Sequence, residues 1–422
     1  MCGTQLATEG TQCIVILYTP LSFSKPMYTE EYMKKRLLIL TFSCVVLFNS
    51  LFTGAFAAPA TSMPSVDLIS SKSAVLIDEV SGKVLFEKNS HDRHPIASVT
   101  KIMTMDIIMD AIKSGKISLN DLVKVSLIAE GTGGSQVWLK AGEKFTVDEL
   151  LKSIAVHSAN DSCVALAEHI SGSESEFVNK MNEKVALLQL KDTKFADCNG
   201  LNDDDQYSSA YDVSIMAMDL IKNHPEIKKY TMIWEDTFRD GTMILNNTNK
   251  LLHTYTGMYG IKTGTTDKAG NCLCAGVERN GTNLISVVLG AKTSEMRFSD
   301  TKLILDYGYD NFEKVELAKK DSGPVGSVTV KRTLNGKAEA FYKNDLLVIM
   351  QKGQGATVKK EIKYIDNLQA PIADGQKVGE VIFKGDNNQE IARMDLIIVG
   401  GKSKITYFEA LQALFSKWLF GK

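Results

Sequence analysis

Apolar residues recur at every third or fourth position through the first two thirds of the chain, and this spacing predicts amphipathic helices. The clearest helix runs from residue 96 to residue 113. Its apolar stripe consists of Ile102, Met105, Ile108, Met109 and Ile112. Further helices are predicted over residues 147–155, 161–170, 173–188, 211–223 and 295–307.

Short apolar runs between turn residues predict strands on either side of these helices. Residues 74–78 and 83–86 flank Ser81-Gly82, which is typical of a β-hairpin. After residue 252, three successive strands are predicted over residues 260–263, 272–278 and 284–289. A strand pair, then helices, then three strands indicates one mixed sheet flanked by helices.

The helical spacing disappears between residues 312 and 401, where short apolar runs alternate with Gly, Asn and Asp turns. These runs cover residues 326–330, 338–342, 346–350, 360–365, 379–383 and 392–398. Strands of this length and spacing predict a small all-β domain.

The last residues return to helical spacing with a wide apolar face. It is formed by Phe408, Leu411, Phe415, Trp418 and Leu419. Residues 402–422 are too few to cross a bilayer, but they fit a helix lying in its interface. In that position Trp418 and Phe420 would be inserted, with Lys417 and Lys422 near the headgroups. The alternative is a helix docked on the all-β domain.

A second hydrophobic segment lies near the start of the chain. The basic Met33-Lys34-Lys35-Arg36 precedes an apolar run over residues 37–52 and the small-residue site Ala55-Phe56-Ala57. This order predicts a cleaved signal peptide over residues 33–57, with a retained signal anchor as the alternative. Residues 1–32 show no motif, so we expect them to be a non-native extension and translation to begin at Met33 or Met27.

Composition and charge exclude several classes of protein. The 422 residues are 44% hydrophobic and 23% charged, which is ordinary for a globular protein. With 48 basic and 50 acidic residues the net charge is −2, so no nucleic-acid partner is expected. Residues 58–422 would carry 44 basic and 47 acidic residues. A mean hydropathy of −0.06 argues against a protein with many membrane spans.

Four cysteines follow residue 57. They are Cys163, Cys198, Cys272 and Cys274. This number is too small for a disulfide-stapled domain, and C-x-x-C pairs are absent. The six histidines show no zinc spacing, so no metal or other cofactor is expected. We interpret the cysteines as ordinary small residues, with Cys272 and Cys274 on one face of a strand.

Three short motifs carry candidate chemistry. Ser98 and Lys101 lie one helical turn apart, so the amine could serve as base for the hydroxyl. Ser158 and Asn160 would point the same way in an extended segment. Lys262-Thr263-Gly264 on a strand edge could bind a carboxylate. Each motif also has an ordinary interpretation: a capping serine before an exposed lysine, a helix N-cap and an edge strand.

Together, S-x-x-K, S-x-N and K-T-G in this order resemble the motifs of penicillin-binding proteins and serine β-lactamases. From Ser71 to Lys422 the sequence resembles the D-alanyl-D-alanine carboxypeptidases, the low-molecular-mass penicillin-binding proteins. The resemblance implies an α+β fold. A β-lactamase/transpeptidase-like catalytic domain with an antiparallel sheet would span residues 58–311. A β-rich domain over residues 312–401 and an amphipathic anchor helix over residues 402–422 would follow.

The resemblance also implies catalytic roles. Ser98 would be the acylated nucleophile and Lys101 its general base. Ser158 would pass a proton towards the leaving amine, and Asn160 would orient the substrate and Lys101.

Substrate binding is implied for a second group of residues. Lys262 and Thr263 would bind the terminal carboxylate, and Arg297 would be a further cationic contact. The backbone N–H groups of Ser98 and Thr265 would form the oxyanion hole.

The implied reaction removes the terminal D-alanine from peptidoglycan stem pentapeptides through a Ser98 ester. The implied partners are muropeptides ending in D-Ala-D-Ala, β-lactams as covalent inhibitors and the membrane surface, at the outer face of the cytoplasmic membrane. A β-lactamase, which would need a dedicated deacylating Glu, and a catalytically silent penicillin-binding or wall-binding sensor are the alternatives. Endopeptidase and transpeptidase activities stay open as well.

Two stretches depart from the family pattern. Cys198-Asn199-Gly200-Leu201 stands where many relatives have a histidine before Gly-Leu, and Gln206-Tyr207-Ser208 stands where His-Tyr is common. Neither carries the acylation chemistry. A Ser-His-Asp relay through the stretch from His91 to His94 is not expected, because Lys101 occupies the base position.

Overall fold

A computed structural model describes residues 66–201 and 204–420. The proposed N-terminal extension and signal peptide lie outside the described residues.

A five-stranded sheet forms the centre of the first part of the fold. Its strands are β1 (Ser73–Asp78), β2 (Val84–Lys88), β7 (Met258–Thr266), β8 (Gly270–Arg279) and β9 (Thr282–Ala291), in the order β2-β1-β9-β8-β7. Every pairing is antiparallel, so the mixed sheet expected from the strand pattern is wrong. Tight turns join β1 to β2 and β7 to β8 to β9, and such turns connect antiparallel strands only. The antiparallel sheet that the family resemblance implied is confirmed.

Helices pack on both faces of this sheet. They are α1 (Lys101–Lys113), α2 (Leu127–Glu130), α3 (Val147–His157), α4 (Asn160–Ser171), α5 (Glu174–Leu187), α6 (Ala210–Asn223), α7 (Lys228–Thr231), α8 (Leu251–Thr254) and α9 (Ser294–Asn311). Side chains alternate between two cores: Val75 and Ile77 face the larger helical layer, whereas Ala74 and Leu76 face the side that includes α9. Strand β1 is therefore buried along its whole length.

The same alternation places the cysteines of β8. Cys272 and Cys274 share the larger core, and Leu273 between them belongs to the other. Cys163 and Cys198 are buried in the larger core as well, and all four thiols are unpaired. Burial raises the pKa of Cys163 to about 12 and that of Cys272 to about 11.

Several short elements have no counterpart in the sequence prediction. Strands β3 (Leu122–Lys124) and β4 (Lys144–Thr146) pair with each other, as do β5 (Glu235–Phe238) and β6 (Met243–Asn246). Each has three or four residues, too few to show a period of two over several repeats.

The second part of the fold is all-β. Strands β10 (Phe312–Ala318) and β13 (Leu346–Gln351) form one pair. A five-stranded sheet contains β11 (Gly326–Thr329), β12 (Lys337–Tyr342), β16 (Glu390–Ile397), β15 (Lys377–Lys384) and β14 (Lys359–Tyr364), in that order. Its apolar residues form a separate core, which includes Val330, Phe383 and Leu396. The predicted fold class is confirmed.

Helix α10 (Tyr407–Phe420) ends the described chain. Its apolar face is exposed, with 80% of Phe408, 55% of Phe415 and 81% of Trp418 accessible. The helix is therefore not docked on the all-β domain, although Ile405 just before it donates its N–H to the carbonyl of Arg332. Within residues 66–201 and 204–420, no helix is both long and apolar enough to cross a bilayer.

Candidate active site

Ser98 lies in a turn that leads directly into α1. A 3-10 turn over Ala97–Thr100 precedes the helix, so the predicted helix begins about five residues late in α-helical form. Ala97 adopts a left-handed conformation with φ of +48°, which non-glycine residues rarely do. Such strained residues concentrate at functional sites, and here the strain fixes the direction of the chain one residue before Ser98.

Lys101 points back at Ser98 from the first turn of α1. Its Nζ lies 2.8 Å from Ser98 Oγ, 2.6 Å from Asn160 Oδ1 and 2.6 Å from the carbonyl oxygen of Asn199. The side chain is fully buried, and burial lowers the pKa of Lys101. The ordinary interpretation, in which Lys101 is an exposed lysine that follows a capping serine, is therefore wrong. A buried amine with a lowered pKa gives up its proton more readily and can act as a base.

The segment from Ser158 to Asn160 forms a corner between two helices. Ser158 ends α3 with φ of +65°, and Asn160 begins α4. The N-cap residue of α4 is Ala159, which offers no capping side chain, so the N-cap interpretation is wrong. Ser158 Oγ is buried and has no hydrogen-bond partner among the residues that the structure describes. Buried hydroxyls normally find a partner, so this one is available to a bound molecule.

Asn160 is fixed from a neighbouring loop. Its Nδ2 donates to the carbonyl of Gly133 at 2.8 Å, and its backbone N–H donates to that of Ser135 at 2.7 Å. Asp161 holds the same loop, because its carboxylate accepts the N–H groups of Val137 at 3.1 Å and of Leu139 at 3.0 Å. Burial raises the pKa of Asp161, and these backbone donors oppose that shift. The supporting role of Asp161 was not predicted.

Lys262 and Thr263 lie on β7, which is an edge of the central sheet. Lys262 Nζ donates to the carbonyl of Thr263 at 2.9 Å, and Thr263 Oγ1 lies 2.6 Å from Thr248 Oγ1. Burial lowers the pKa of Lys262 well below its usual value, and the charge of Lys101 lowers it further. An anion arriving beside Lys262 would reverse that shift.

Gly264 brings β7 against the turn that carries Ser98. A Cβ atom at this position would lie 2.7 Å from the carbonyl oxygen of Ile96 and 2.9 Å from the backbone nitrogens of Ser98 and Val99. Backbone atoms cannot move aside, so glycine is needed for this close approach. The contact brings β7 against the backbone of Ser98 at Gly264, one residue before Thr265.

Arg297 supports this end of β7 from α9. One guanidinium nitrogen lies 3.2 Å from the carbonyl oxygen of Gly264, 3.1 Å from Thr265 Oγ1 and 3.3 Å from the carbonyl oxygen of Cys272. The side chain is mostly buried and stacks on Phe298, with 4.8 Å from guanidinium to ring centre. Arg297 therefore adds positive charge next to Thr265.

The two stretches that contain departures from the family pattern lie against the turn of Ser98. Gly200 has φ of +79°, and a Cβ atom there would overlap the carbonyl of Ala97. Gln206 donates to Thr100 Oγ1 at 3.1 Å and accepts the N–H of Ala196 at 2.8 Å. Gln206 therefore links the loop at Ala196 to the turn that carries Ser98.

Neither histidine of the stretch from His91 to His94 serves Ser98. His94 Nε2 lies 2.7 Å from Ser73 Oγ, and His91 pairs with Asp192. One group within the described residues has donors spaced for a cation: Asp106, Asp110 and His224. Lys184 already places its ammonium 2.6 Å from Asp106 and 2.7 Å from Asp110. This cluster is an ion-pair network on α1, outside the contacts around Ser98.

Comparison with known proteins decides the family. The D-alanyl-D-alanine carboxypeptidase family model matches residues 60–293, and the C-terminal domain of penicillin-binding protein 5 matches residues 312–399. The chain belongs to the D-alanyl-D-alanine carboxypeptidases. The predicted activity, that of a serine-type D-Ala-D-Ala carboxypeptidase of the penicillin-binding proteins, is confirmed.

The relatives of this carboxypeptidase support the assignment over most of the chain. DacF of Bacillus subtilis is 44% identical over 75% of this chain and 82% of its own length. DacA of Escherichia coli K12 is 33% identical over 91% of this chain and 97% of its own length. The crystal structure of penicillin-binding protein 5 from Haemophilus influenzae covers 80% of this chain and 98% of its own, with a TM-score of 0.71 and 33% identity.

Proposed function

We propose that Ser98 is the nucleophile of this carboxypeptidase and Lys101 its general base. The proposal rests on the position of Lys101 Nζ, which lies 2.8 Å from Ser98 Oγ and 2.6 Å from Asn160 Oδ1. Ser98 Oγ attacks the carbonyl carbon between the two D-alanines while its proton passes to Lys101 Nζ. The base is effective because burial lowers its pKa.

Oxyanion stabilisation comes from the backbone N–H groups of Ser98 and Thr265. The packing of Gly264 against the turn of Ser98 supports this assignment, since it brings the two backbones together. Preorganised donors of this kind stabilise the charge that develops on the carbonyl oxygen.

Departure of the terminal D-alanine needs a proton on its nitrogen. Ser158 passes this proton from Lys101, and its buried, unengaged hydroxyl supports the role. The C–N bond then breaks and leaves an ester on Ser98. Water hydrolyses that ester with Lys101 again as base, which restores the enzyme.

The carboxylate of the leaving D-alanine binds Lys262 Nζ and Thr263 Oγ1, and Arg297 contributes positive charge nearby. The low pKa of Lys262 in the free protein supports this role, because a bound carboxylate favours the charged ammonium. Substrate orientation falls to Asn160, which is held by Gly133 and Ser135.

Variant Ser98→Ala tests the assignment. Mass spectrometry of a stem pentapeptide ending in D-Ala-D-Ala follows the loss of the last residue, and fluorescent penicillin follows acylation. We expect both to disappear in Ser98→Ala and to persist in Ser327→Ala, an exposed serine of the all-β domain. Covalent labelling of Ser98→Ala would show that another residue is the nucleophile. Rapid nitrocefin hydrolysis without release of D-alanine would favour the β-lactamase alternative.

We propose further that the protein is exported by the signal peptide over residues 33–57 and held at the outer face of the cytoplasmic membrane by α10. The exposed apolar face of α10 supports this, since a soluble protein rarely leaves such a face uncovered. Peptidoglycan is the substrate within reach of that location.

A further inference from the structure

Lys101 Nζ is surrounded by three hydrogen-bond acceptors. They are Ser98 Oγ at 2.8 Å, Asn160 Oδ1 at 2.6 Å and the carbonyl oxygen of Asn199 at 2.6 Å. A charged ammonium donates to all three, but the neutral amine that acts as a base has only two N–H groups and one lone pair. The direction of that lone pair decides whether the amine can take the proton of Ser98.

Two of the three acceptors have no proton to give. One is the backbone carbonyl of Asn199, and the other is the amide oxygen of Asn160, whose nitrogen donates to the carbonyl of Gly133 at 2.8 Å. The two N–H groups of the neutral amine therefore point at these two oxygens. The lone pair then faces Ser98 Oγ, which has a proton to donate. The carbonyl of Asn199, to which no role is given above, is thus needed for this orientation.

Asp197 fixes the peptide group to which that carbonyl belongs. The carbonyl of Asn199 and the N–H of Gly200 lie in one planar trans peptide, so they point in opposite directions. Asp197 Oδ1 accepts this N–H, and it also accepts the N–H of Asn199 at 2.9 Å. Because a carboxylate holds the N–H on one side of the peptide, the carbonyl is directed to the other side, where Lys101 lies.

Gln206 holds Asp197 in turn. Its Nε2 donates to Asp197 Oδ1 at 3.2 Å and to Thr100 Oγ1 at 3.1 Å, and its Oε1 accepts the N–H of Asp197 at 3.0 Å. Thr100 belongs to the turn that carries Ser98. A single amide side chain therefore connects the turn of Ser98 to the carboxylate of Asp197.

We propose that Asp197 is a positioning residue for Lys101. By holding the peptide group that follows Asn199, its carboxylate directs the lone pair of the neutral amine at Ser98 Oγ. The proposal rests on the roles proposed for Ser98 and Lys101 and deepens them. Asp197 itself exchanges no proton in the reaction, which passes from Ser98 Oγ to Lys101 Nζ as before.

The charge of Asp197 has a second effect that can be measured. Burial lowers the pKa of Lys101, and the negative charge of Asp197 opposes that shift. The other titratable groups that act on this amine are Asp161 and Cys163 from α4, Cys198 beside Asn199, and Lys262 from β7. Removing the charge of Asp197 should therefore lower the pKa of Lys101. Because the base acts in its neutral form, the acid limb of the pH profile of kcat/KM should move to lower pH.

The variants Asp197→Asn and Asp197→Ala separate the charge from the geometry. The amide of Asp197→Asn keeps an oxygen for both N–H groups. With a stem pentapeptide ending in D-Ala-D-Ala, we expect its maximal kcat/KM within about threefold of the unaltered protein and its acid limb about 0.5 to 1 pH unit lower. Asp197→Ala keeps no acceptor, so kcat/KM should fall at least about tenfold. Asp366→Asn, which removes an exposed charge of the all-β domain, should keep both the rate and the pH profile.

Two outcomes overturn the proposal: an acid limb of Asp197→Asn at the same pH as in the unaltered protein, or an unchanged kcat/KM in Asp197→Ala. Complete labelling by fluorescent penicillin after long incubation shows that a variant is folded. If Asp197→Ala does not fold, the acid limb of Asp197→Asn decides. Failure of the proposed function would look different, because Lys101→Ala would then be acylated at the rate of the unaltered protein or Ser98→Ala would still be labelled.

Discussion

Single residues of this site owe their chemistry to contacts made by distant parts of the chain. Lys101 is placed near Ser98 by helical spacing, but its burial depends on Asn160 and on the carbonyl of Asn199. The sequence predicts the helical spacing of Ser98 and Lys101. It does not predict the contacts of Lys101 with Asn160 and Asn199, because these residues lie 59 and 98 positions away along the chain.

Gly264→Ala tests the close approach of β7 to the turn of Ser98. The added methyl group would lie within 3 Å of three backbone atoms, so the strand or the turn must shift. We expect the rate of acylation by penicillin to fall at least about 100-fold, since misplacing reacting groups by about 1 Å can cost that much. Stopped-flow measurement of acylation checks it. Gly385→Ala in the all-β domain meets only ordinary contacts and should acylate at the rate of the unaltered protein.

Helix α1 joins two different charge environments. Its first residue is Lys101. Five residues later, Asp106 is fully buried and forms an ion pair with Lys184. Asp110, Asp219 and His224 complete this second cluster. Burial raises the pKa of Asp106 to about 7, although Lys184 opposes the shift. The ionised form of this carboxylate therefore costs stability.

The buried Asp106 of α1 predicts that the free energy of unfolding depends on pH. Because the native state holds the Asp106 proton more tightly than the unfolded chain, the contribution of this carboxyl group to stability is greatest below about pH 4 and is lost as pH rises to about 7. The scale is about 1.4 kcal/mol for each unit of pKa difference. In urea unfolding between pH 4 and 8, the unaltered protein should lose stability relative to Asp106→Asn. Asp321 is an exposed aspartate, so the difference in free energy of unfolding between the unaltered protein and Asp321→Asn should not change with pH. If the difference between the unaltered protein and Asp106→Asn is also independent of pH, the raised pKa of Asp106 is contradicted.

At this scale the long elements were predictable and the sheet pairing was not. The helices near residues 101–113 and 210–223 and the three strands that end the central sheet have enough residues to show their period. Strand order and direction depend on contacts such as that of β1 with β9, which no local pattern encodes. The short pairs β3–β4 and β5–β6 were missed for lack of length.

A net charge near zero and an exposed apolar helix at the end of the described residues bear on how the protein meets a membrane. With 48 basic and 50 acidic residues, the protein has no excess positive charge to attract it to anionic lipid. The attachment proposed for α10 would therefore depend on the apolar face of the helix, which includes Phe408 and Trp418.

The double variant Phe408→Ser/Trp418→Ser tests this attachment. Each large apolar side chain contributes about 1.5–3 kcal/mol when buried, so binding to phosphatidylcholine vesicles should weaken at least about 100-fold. Sedimentation with vesicles measures it. Leu334→Ser/Ile365→Ser removes two exposed apolar residues of the all-β domain and should sediment as before. Equal sedimentation of both variants would argue against α10 as the anchor.

The four buried thiols offer a way to watch the protein open. Each of Cys163, Cys198, Cys272 and Cys274 is unpaired and has a raised pKa because it is buried, so alkylating reagents can reach it only through local or global unfolding. Cys198 is one residue from the carbonyl that holds Lys101, whereas Cys272 and Cys274 lie in the central sheet. The order of alkylation would therefore reveal whether the surroundings of Lys101 open before the sheet does.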